Sequence, residues 1–304
     1  MGAVPGEASA AEAVGVAGLN EYGAIRRMAL RHARDAYLSQ ARLDAVWQGE
    51  EFVAAPDYAE ALAEYDRFTA AIEAAGVPLE FMPADERDGI SAIYARDSSI
   101  VAPGGVILCN MANAHRASEP AVVGEYFAAA GVPVVGAITG DGLLEGGDFV
   151  WFDATTCAVA QGYRTNAEGI RQLKDLLGPD IHVEFVPLPH HRGPRECLHL
   201  MSFISPLDRD LAVVYSPLMP VPFRDWLIAR GIALVEVPDA EFDPSMGCNV
   251  LALGPRRCLV IDGNPATRAR LEAAGCDVVS YQGAEISIKG CGGPTCLTRP
   301  LARD

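Results

Sequence analysis

The chain has 304 residues, half of them hydrophobic and 21% charged, which excludes a disordered protein and leaves ample chain for a sizeable core. Its 40 Asp+Glu against 24 Lys+Arg give a net charge of -16, so a phosphate backbone or an anionic membrane surface is repelled and nucleic acid is not expected as a partner. No run approaches the ~18 apolar residues that cross a bilayer and the first residues lack a basic signal start, so a cytoplasmic protein without a membrane partner is expected. The eight cysteines lack the dense spacing of a disulfide framework and read as reduced thiols.

Residues 1–20, rich in Ala, Gly and Glu, read as a flexible tail, and 21–304 as a single domain. From there a unit of hairpin, helix and strand recurs about every fifty residues. AIRRMALR (24–31) is a strand, the role of 33–56 stays open, DYAEALAEYDRFTAAIEAAG (57–76) is a helix and PLEFMP (78–83) a strand. SAIYA (91–95) and GVILCNM (105–111) form a hairpin, followed by the helix SEPAVVGEYFAAAG (118–131) and the strand VPVVGAI (132–138). DFVWF (148–152) and CAVAQG (157–162) begin the next unit, with a helix capped by Asn166 and the strand HVEFVPL (182–188). LHLMSFI (198–204), LAVVYS (211–216), VPFRDWLIARG (221–231) and IALVEV (232–237) repeat it. In the last full copy, 249–253 and 258–262 are joined by GPRR, Asn264 caps a helix that opens on Pro265 and stops at Gly275, and CDVVSY (276–281) follows. The terminal PTCLTR (294–299) completes the first unit by pairing with 24–31.

Each unit leaves a helix face and a sheet face to bury, a need met by setting five of them around a common axis. The expected fold class is α/β, a five-bladed propeller of ββαβ units. A doubly wound sheet does not fit the repeated hairpins.

Polar residues recur at matching points near the start of each hairpin: Asp97, Glu145 with Asp148, His199, Asn249 and Cys296. In a five-fold array such positions point at the axis, so they converge on one pocket. Cys296, in the glycine-rich KGCGGPTC, is the candidate nucleophile, because a thiolate is the most nucleophilic side chain near neutral pH. His199 is the candidate general acid and base. Carboxylates in apolar surroundings demand a cation, and Asp97 with Glu145 suit the planar donor fork of a guanidinium. Zinc is the competing cation, but the ligands lack the close spacing usual in zinc sites, so no metal is expected.

In ARDSS, NMANAHR, LEGGD, GYRTN, HLMSF, GCNVLALG and GGPTCLTRPL, taken in order, the sequence resembles the guanidino-modifying pentein superfamily: dimethylargininases, arginine deiminases and amidinotransferases. The resemblance implies a pentein propeller with pseudo-five-fold symmetry and a small-molecule guanidino substrate without a cofactor; a homo-oligomer stays open. It further implies that Cys296 attacks the guanidinium carbon, with His199 as acid and then base and Glu145 and Asp97, with Asp148, on the guanidinium side. Arg116 and Arg164 fall where the family binds the substrate carboxylate. Water then gives a ureido product; an amine in its place gives amidino transfer, and a non-catalytic binding scaffold is a further alternative. Met201 stands two residues after His199, where deiminases and amidinotransferases place an Asp, and this disfavours plain arginine.

Overall fold

The apolar runs pair into five three-stranded sheets among the described residues, which are 16–195 and 198–304 of a computed structural model. In chain order, β1 (Ile25–Leu30) is followed by the helices α1 (Ala33–Tyr37), α2 (Gln40–Val46) and α3 (Tyr58–Ala74) and by β2 (Leu79–Phe81). The second unit is β3 (Ser99–Ala102), β4 (Gly105–Leu108), α4 (Glu119–Ala129) and β5 (Val134–Ala137). The third is β6 (Phe149–Asp153), β7 (Thr156–Gln161), α5 (Ala167–Leu177) and β8 (His182–Pro187). The fourth is β9 (Ile204–Asp208), β10 (Leu211–Val214), α6 (Val221–Ala229) and β11 (Ala233–Glu236), with α7 (Asp239–Phe242) after it. The fifth is β12 (Leu251–Gly254), β13 (Arg257–Ile261), α8 (Pro265–Ala273) and β14 (Asp277–Tyr281). The terminal β15 (Arg299–Arg303) pairs antiparallel with β1, so the two ends of the chain close one blade.

Every sheet has the same wiring. Its first two strands are antiparallel and its last two parallel, because the helix carries the chain back to the start of the sheet. Burial falls outward in the blades: β3, β12 and β15 are buried throughout, whereas β5 has no buried position and β8 has one. The first strands therefore face the axis, and the molecule is the expected α/β propeller. α5 shows how a helix is fixed between blades: Asn166 Oδ1 accepts the Gly169 N–H at 2.8 Å, Ile170, Leu173 and Leu177 form the buried stripe, and Gly178 ends the helix at φ 82°.

Five expectations need correction. Residues 1–15 lie outside the described residues, but 16–20, read as part of the tail, dock on β15: Arg303 N–H donates to Ala17 O at 2.9 Å. The strand expected at 91–95 is a helical turn, Ile90–Ile93, and the strand of that blade starts only at Ser99. The same shift recurs at 198–204, where a turn over Leu200–Ser202 precedes β9, and again at 294–299, where a turn precedes β15. The candidate residues thus sit in the tight turns that enter the innermost strands, where side chains can reach the axis without disturbing a strand ladder. Finally, Asn264 does not cap α8, since its amide donates to Ser245 O and Ile261 O; Glu241 caps it instead, accepting the Ala266 and Thr267 N–H groups at 2.8 and 2.7 Å. No helix among the described residues is long and apolar enough to cross a membrane.

Candidate active site

Cys296 is half-buried in the turn before β15, and three hydrogen bonds to the Asn249 side chain fix that turn. Asn249 Oδ1 accepts from Thr295 N and Oγ1 at 3.0 and 2.7 Å, and Asn249 Nδ2 donates to Cys296 Sγ at 3.3 Å. A donor on sulfur favours the thiolate, which makes Asn249 a positioning residue whose place in the repeat was its only sequence signal. The glycines before Cys296 make room for protein rather than for a ligand. A Cβ on Gly292 would come within 2.3 Å of the Tyr94 ring, and one on Gly293 within 2.5 Å of Asn249. The buried Cys109, Cys157 and Cys248 are free thiols, and burial pushes each of them up and away from the reactive form.

His199 sits at the start of the turn before β9 and points Nε2 at Glu145 Oε2, 2.9 Å away. Glu145 is fully buried, and its other oxygen accepts the Ala112 N–H at 3.1 Å and lies 3.7 Å from Arg164 Nη1. Nδ1 of His199 lies 3.9 Å from Asp97 Oδ1. The second glycine of LEGGD is what allows this approach, since a Cβ on Gly147 would stand 2.4 Å from His199 Nδ1 and 2.9 Å from Asp97 Oδ1. Burial pushes the Asp97 and Glu145 carboxyls up, but the Arg116 charge on Asp97 and the His199 hydrogen bond on Glu145 outweigh it, so both stay below their ordinary values. Two ionised carboxylates flank the imidazole across the neutral range.

Arg116 stands on the wall of the cavity beside Cys296, as expected, whereas Asp148 does not. The Arg116 guanidinium is buried and engaged by protein: Glu119 takes Nε and Nη2 at 2.8 Å each, Asp97 Oδ2 takes Nη1 at 2.8 Å and Tyr94 O takes Nη2 at 3.3 Å. Arg116 anchors Asp97, and among the described residues Asp97 Oδ1 has no hydrogen-bond donor. Asp148 lines neither cavity of the site; it is fully buried, and its Oδ1 accepts the Leu200 N–H at 3.0 Å, which fixes the backbone next to His199. Burial pushes its carboxyl up to about 6.

That value sets a sign for the pH dependence. With a folded value above the ordinary 3.8, the stabilising share of Asp148 is complete at low pH and is lost as pH rises through about 6. Asp148→Asn keeps Oδ1 for Leu200 and carries no charge. It should melt higher than the parent near pH 8, by at most about 3 kcal/mol for about two pKa units, and equal to it near pH 4. Thermal melts at the two pH values decide; a variant less stable at the higher pH would contradict the burial argument.

Two cavities meet at Cys296 and His199. The smaller, about 180 Å³, has the charged Asp97, Arg116, Arg164, Arg195 and Glu51 on its wall. The larger, about 330 Å³, carries Val53, Leu198, Met201, Phe242, Met246 and Ile288. Arg195 and Glu51 were missed by sequence reasoning. Glu51 comes from the 33–56 segment, which reaches the site because Glu50 accepts the Ile90 and Ser91 N–H groups at 3.0 and 2.8 Å and Val53 N–H donates to Lys289 O at 2.8 Å. Asp97, Glu145 and His199 each offer a donor atom within 4.8 Å of the others, so among the described residues these three could hold a metal ion.

The family model described as N,N dimethylarginine dimethylhydrolase, eukaryotic, matches residues 51–303. The chain belongs to this dimethylarginine dimethylhydrolase family. Among curated relatives, the Bacillus subtilis protein YkgA, described as uncharacterized, is 28% identical over 241 residues, 79% of either chain. An arginine deiminase of Mycobacterium marinum is 30% identical over 192 residues, and the match spans 53% of this chain and 47% of the deiminase, about half its length. Two solved structures share the fold. A Pseudomonas aeruginosa dimethylargininase, a cysteine-to-serine variant complexed with citrulline, gives a TM-score of 0.72 at 20% identity, covering 90% of this chain and 98% of its own. The amidinotransferase SxtG of Microseira wollei gives 0.75 at 19% identity, covering 95% and 97%. The family places the chain among guanidino-modifying pentein enzymes that act on amidines.

Proposed function

We propose that the chain is a cysteine-dependent hydrolase of an N-substituted guanidino compound that carries a carboxylate. The observation that carries this reading is the meeting of the two cavities at Cys296, beside an imidazole held at 2.9 Å by a buried carboxylate. The Cys296 thiolate attacks the guanidinium carbon while Asp97 Oδ1 holds the cation and Glu145 holds the His199 imidazole. His199, through Nδ1, gives its proton to the departing nitrogen as the C–N bond breaks, and an amine leaves. The same imidazole then takes a proton from water, whose oxygen adds to the carbon. The C–S bond breaks, and the ureido product leaves with the thiolate restored. Guanidinium and water are consumed, and one urea and one ammonium ion are formed.

The two cavities divide the substrate. Arg164 is the partner for the carboxylate arm in the smaller cavity, with Arg116 and Arg195 on the same wall. Met201, 3% exposed, faces the larger and apolar one, which suits the N-substituent. An amine entering through that larger cavity in place of water would give amidino transfer, the second reading, which its size and apolar wall favour.

A panel of arginine, methylated arginines, agmatine and short guanidino acids, assayed for ureido products with EDTA present, tests the proposal. Turnover should be highest for an N-substituted guanidine with a carboxylate and should survive the chelator. Loss of activity in EDTA with recovery on zinc would assign Asp97, Glu145 and His199 to a metal instead. In the same assay Met201→Asp should raise the kcat/KM ratio of arginine over dimethylarginine by about tenfold or more. A new charge-assisted hydrogen bond to an unsubstituted nitrogen is worth about 1.5 to 3 kcal/mol, and an alkylated nitrogen cannot return it. A folded variant with an unchanged ratio would show that this side chain does not meet the guanidino group.

A further inference from the structure

Beneath the site the axis holds more positive charge than its protein partners balance. Arg96, Arg299 and Arg303 are 1%, 4% and 5% exposed. Among the described residues their one ion-pair partner is Glu21, which takes Arg96 Nη1 at 3.2 Å and stands 4.0 Å from Arg303 Nη2. Backbone carbonyls take part of the remaining donors: Arg96 Nε meets Thr295 O at 3.1 Å, Arg299 Nη2 meets Arg96 O, and Arg303 Nη1 meets Gly23 O and Ala252 O at 2.7 and 2.9 Å. Among the described residues, Arg96 Nη2, Arg299 Nε and Arg303 Nη2 have no hydrogen-bond acceptor. Three guanidinium groups against one carboxylate, with a buried donor left over on each, is a costly arrangement without a further anion. Burial pushes the guanidinium of Arg299 down to about 9 and that of Arg303 to about 10, and the Arg96 charge adds to both, which expresses the same imbalance.

All three arginines and Glu21 line one cavity of about 20 Å³, together with Gly18, Val101 and Trp151. About 10 to 15 Å³ holds one water molecule, so this space takes a single particle slightly larger than water and excludes sulfate, phosphate and carboxylates. We propose that the cavity binds one small monovalent inorganic anion of the halide class, coordinated by Arg96, Arg299 and Arg303. The site ties the chain ends to the catalytic turns. Arg96 precedes Asp97, and its N–H donates to Cys296 O at 3.1 Å; a Cβ on Gly146 would stand 2.2 Å from Arg96 O and 2.8 Å from Arg299 Nη2. An anion here therefore stabilises the closed propeller and, through Arg96, the spacing of Asp97 and Cys296.

The test uses the full chain. After exhaustive dialysis into gluconate, adding chloride or bromide at matched ionic strength should raise Tm saturably by about 5 °C or more, since a ligand bound only by the folded state stabilises by mass action. Arg303→Met, which removes one charge and keeps apolar bulk, should reduce that shift by at least half. Crystals grown in bromide should show one anomalous peak within hydrogen-bond distance of all three guanidinium groups. A Tm that follows ionic strength regardless of the anion, or density in the cavity without anomalous signal, would assign the space to water and overturn the proposal. The bromide experiment needs no variant, so it decides even if Arg303→Met fails to fold.

Discussion

Cys296→Ser should lower kcat/KM for the guanidino substrate by at least about a thousand-fold while leaving the melting temperature within a few degrees of the parent. The exchange is nearly isosteric at a half-buried position, and the Asn249 amide that now reaches Sγ at 3.3 Å can serve a hydroxyl equally well. What changes is ionisation. A serine hydroxyl remains protonated where a thiol with a hydrogen-bond donor on it can ionise, so the attacking anion is lost. Binding should persist, because the carboxylates and the apolar cavity are untouched, and the variant should retain a substrate affinity close to the parent KM. Full activity in a folded Cys296→Ser protein would rule out the covalent route.

Glu145→Gln should reduce kcat by about 10³ to 10⁴-fold with little change in KM. Glu145 is fully buried, so the exchange changes neither volume nor access, and it removes a charge at 2.9 Å from His199 Nε2. Two things are lost together. The imidazolium that forms when His199 takes a proton is no longer balanced, and a glutamine can turn its NH₂ toward Nε2 and move the ring proton to Nδ1, the nitrogen that must exchange protons with substrate. A fall of less than tenfold would reduce Glu145 to a space-filling residue. The pH profile separates the two cases: loss of the charge should shift the limb that depends on His199 toward lower pH, whereas a purely structural role would leave it in place.

The repeat was legible because a buried inner hairpin, a helix with its stop glycine and an outer strand each leave a pattern in the sequence. Asn166, Gly178 and Gly275 mark helix ends by chemistry that acts within a few residues. The equivalence of Asp97, Glu145, His199, Asn249 and Cys296 followed from that periodicity, and the structure brings all five to the two cavities or to side chains that line them. The errors are of a different kind. The turns at 90–93 and 200–202 carry hydrophobic residues because they pack at the axis, so composition alone gives them the look of strands. Asp148 turns to the Leu200 N–H, fifty-two residues away, and a pairing of that range leaves no local signal that takes it off the cavity wall. The reach of the 33–56 segment into the site depends on Glu50 meeting N–H groups forty residues away, and pairings of that range leave no periodic mark.

The central claim is a covalent bond between Cys296 and the guanidino carbon. Acid-quenching the protein during turnover of its best guanidino substrate and mapping the peptides by mass spectrometry tests this directly. The account predicts one adduct, of the mass of the substrate less the departing amine, on the peptide that carries Cys296 and absent from Cys291, the exposed thiol five residues before it. Product formation with no adduct on Cys296, or an adduct on Cys291 instead, would contradict it.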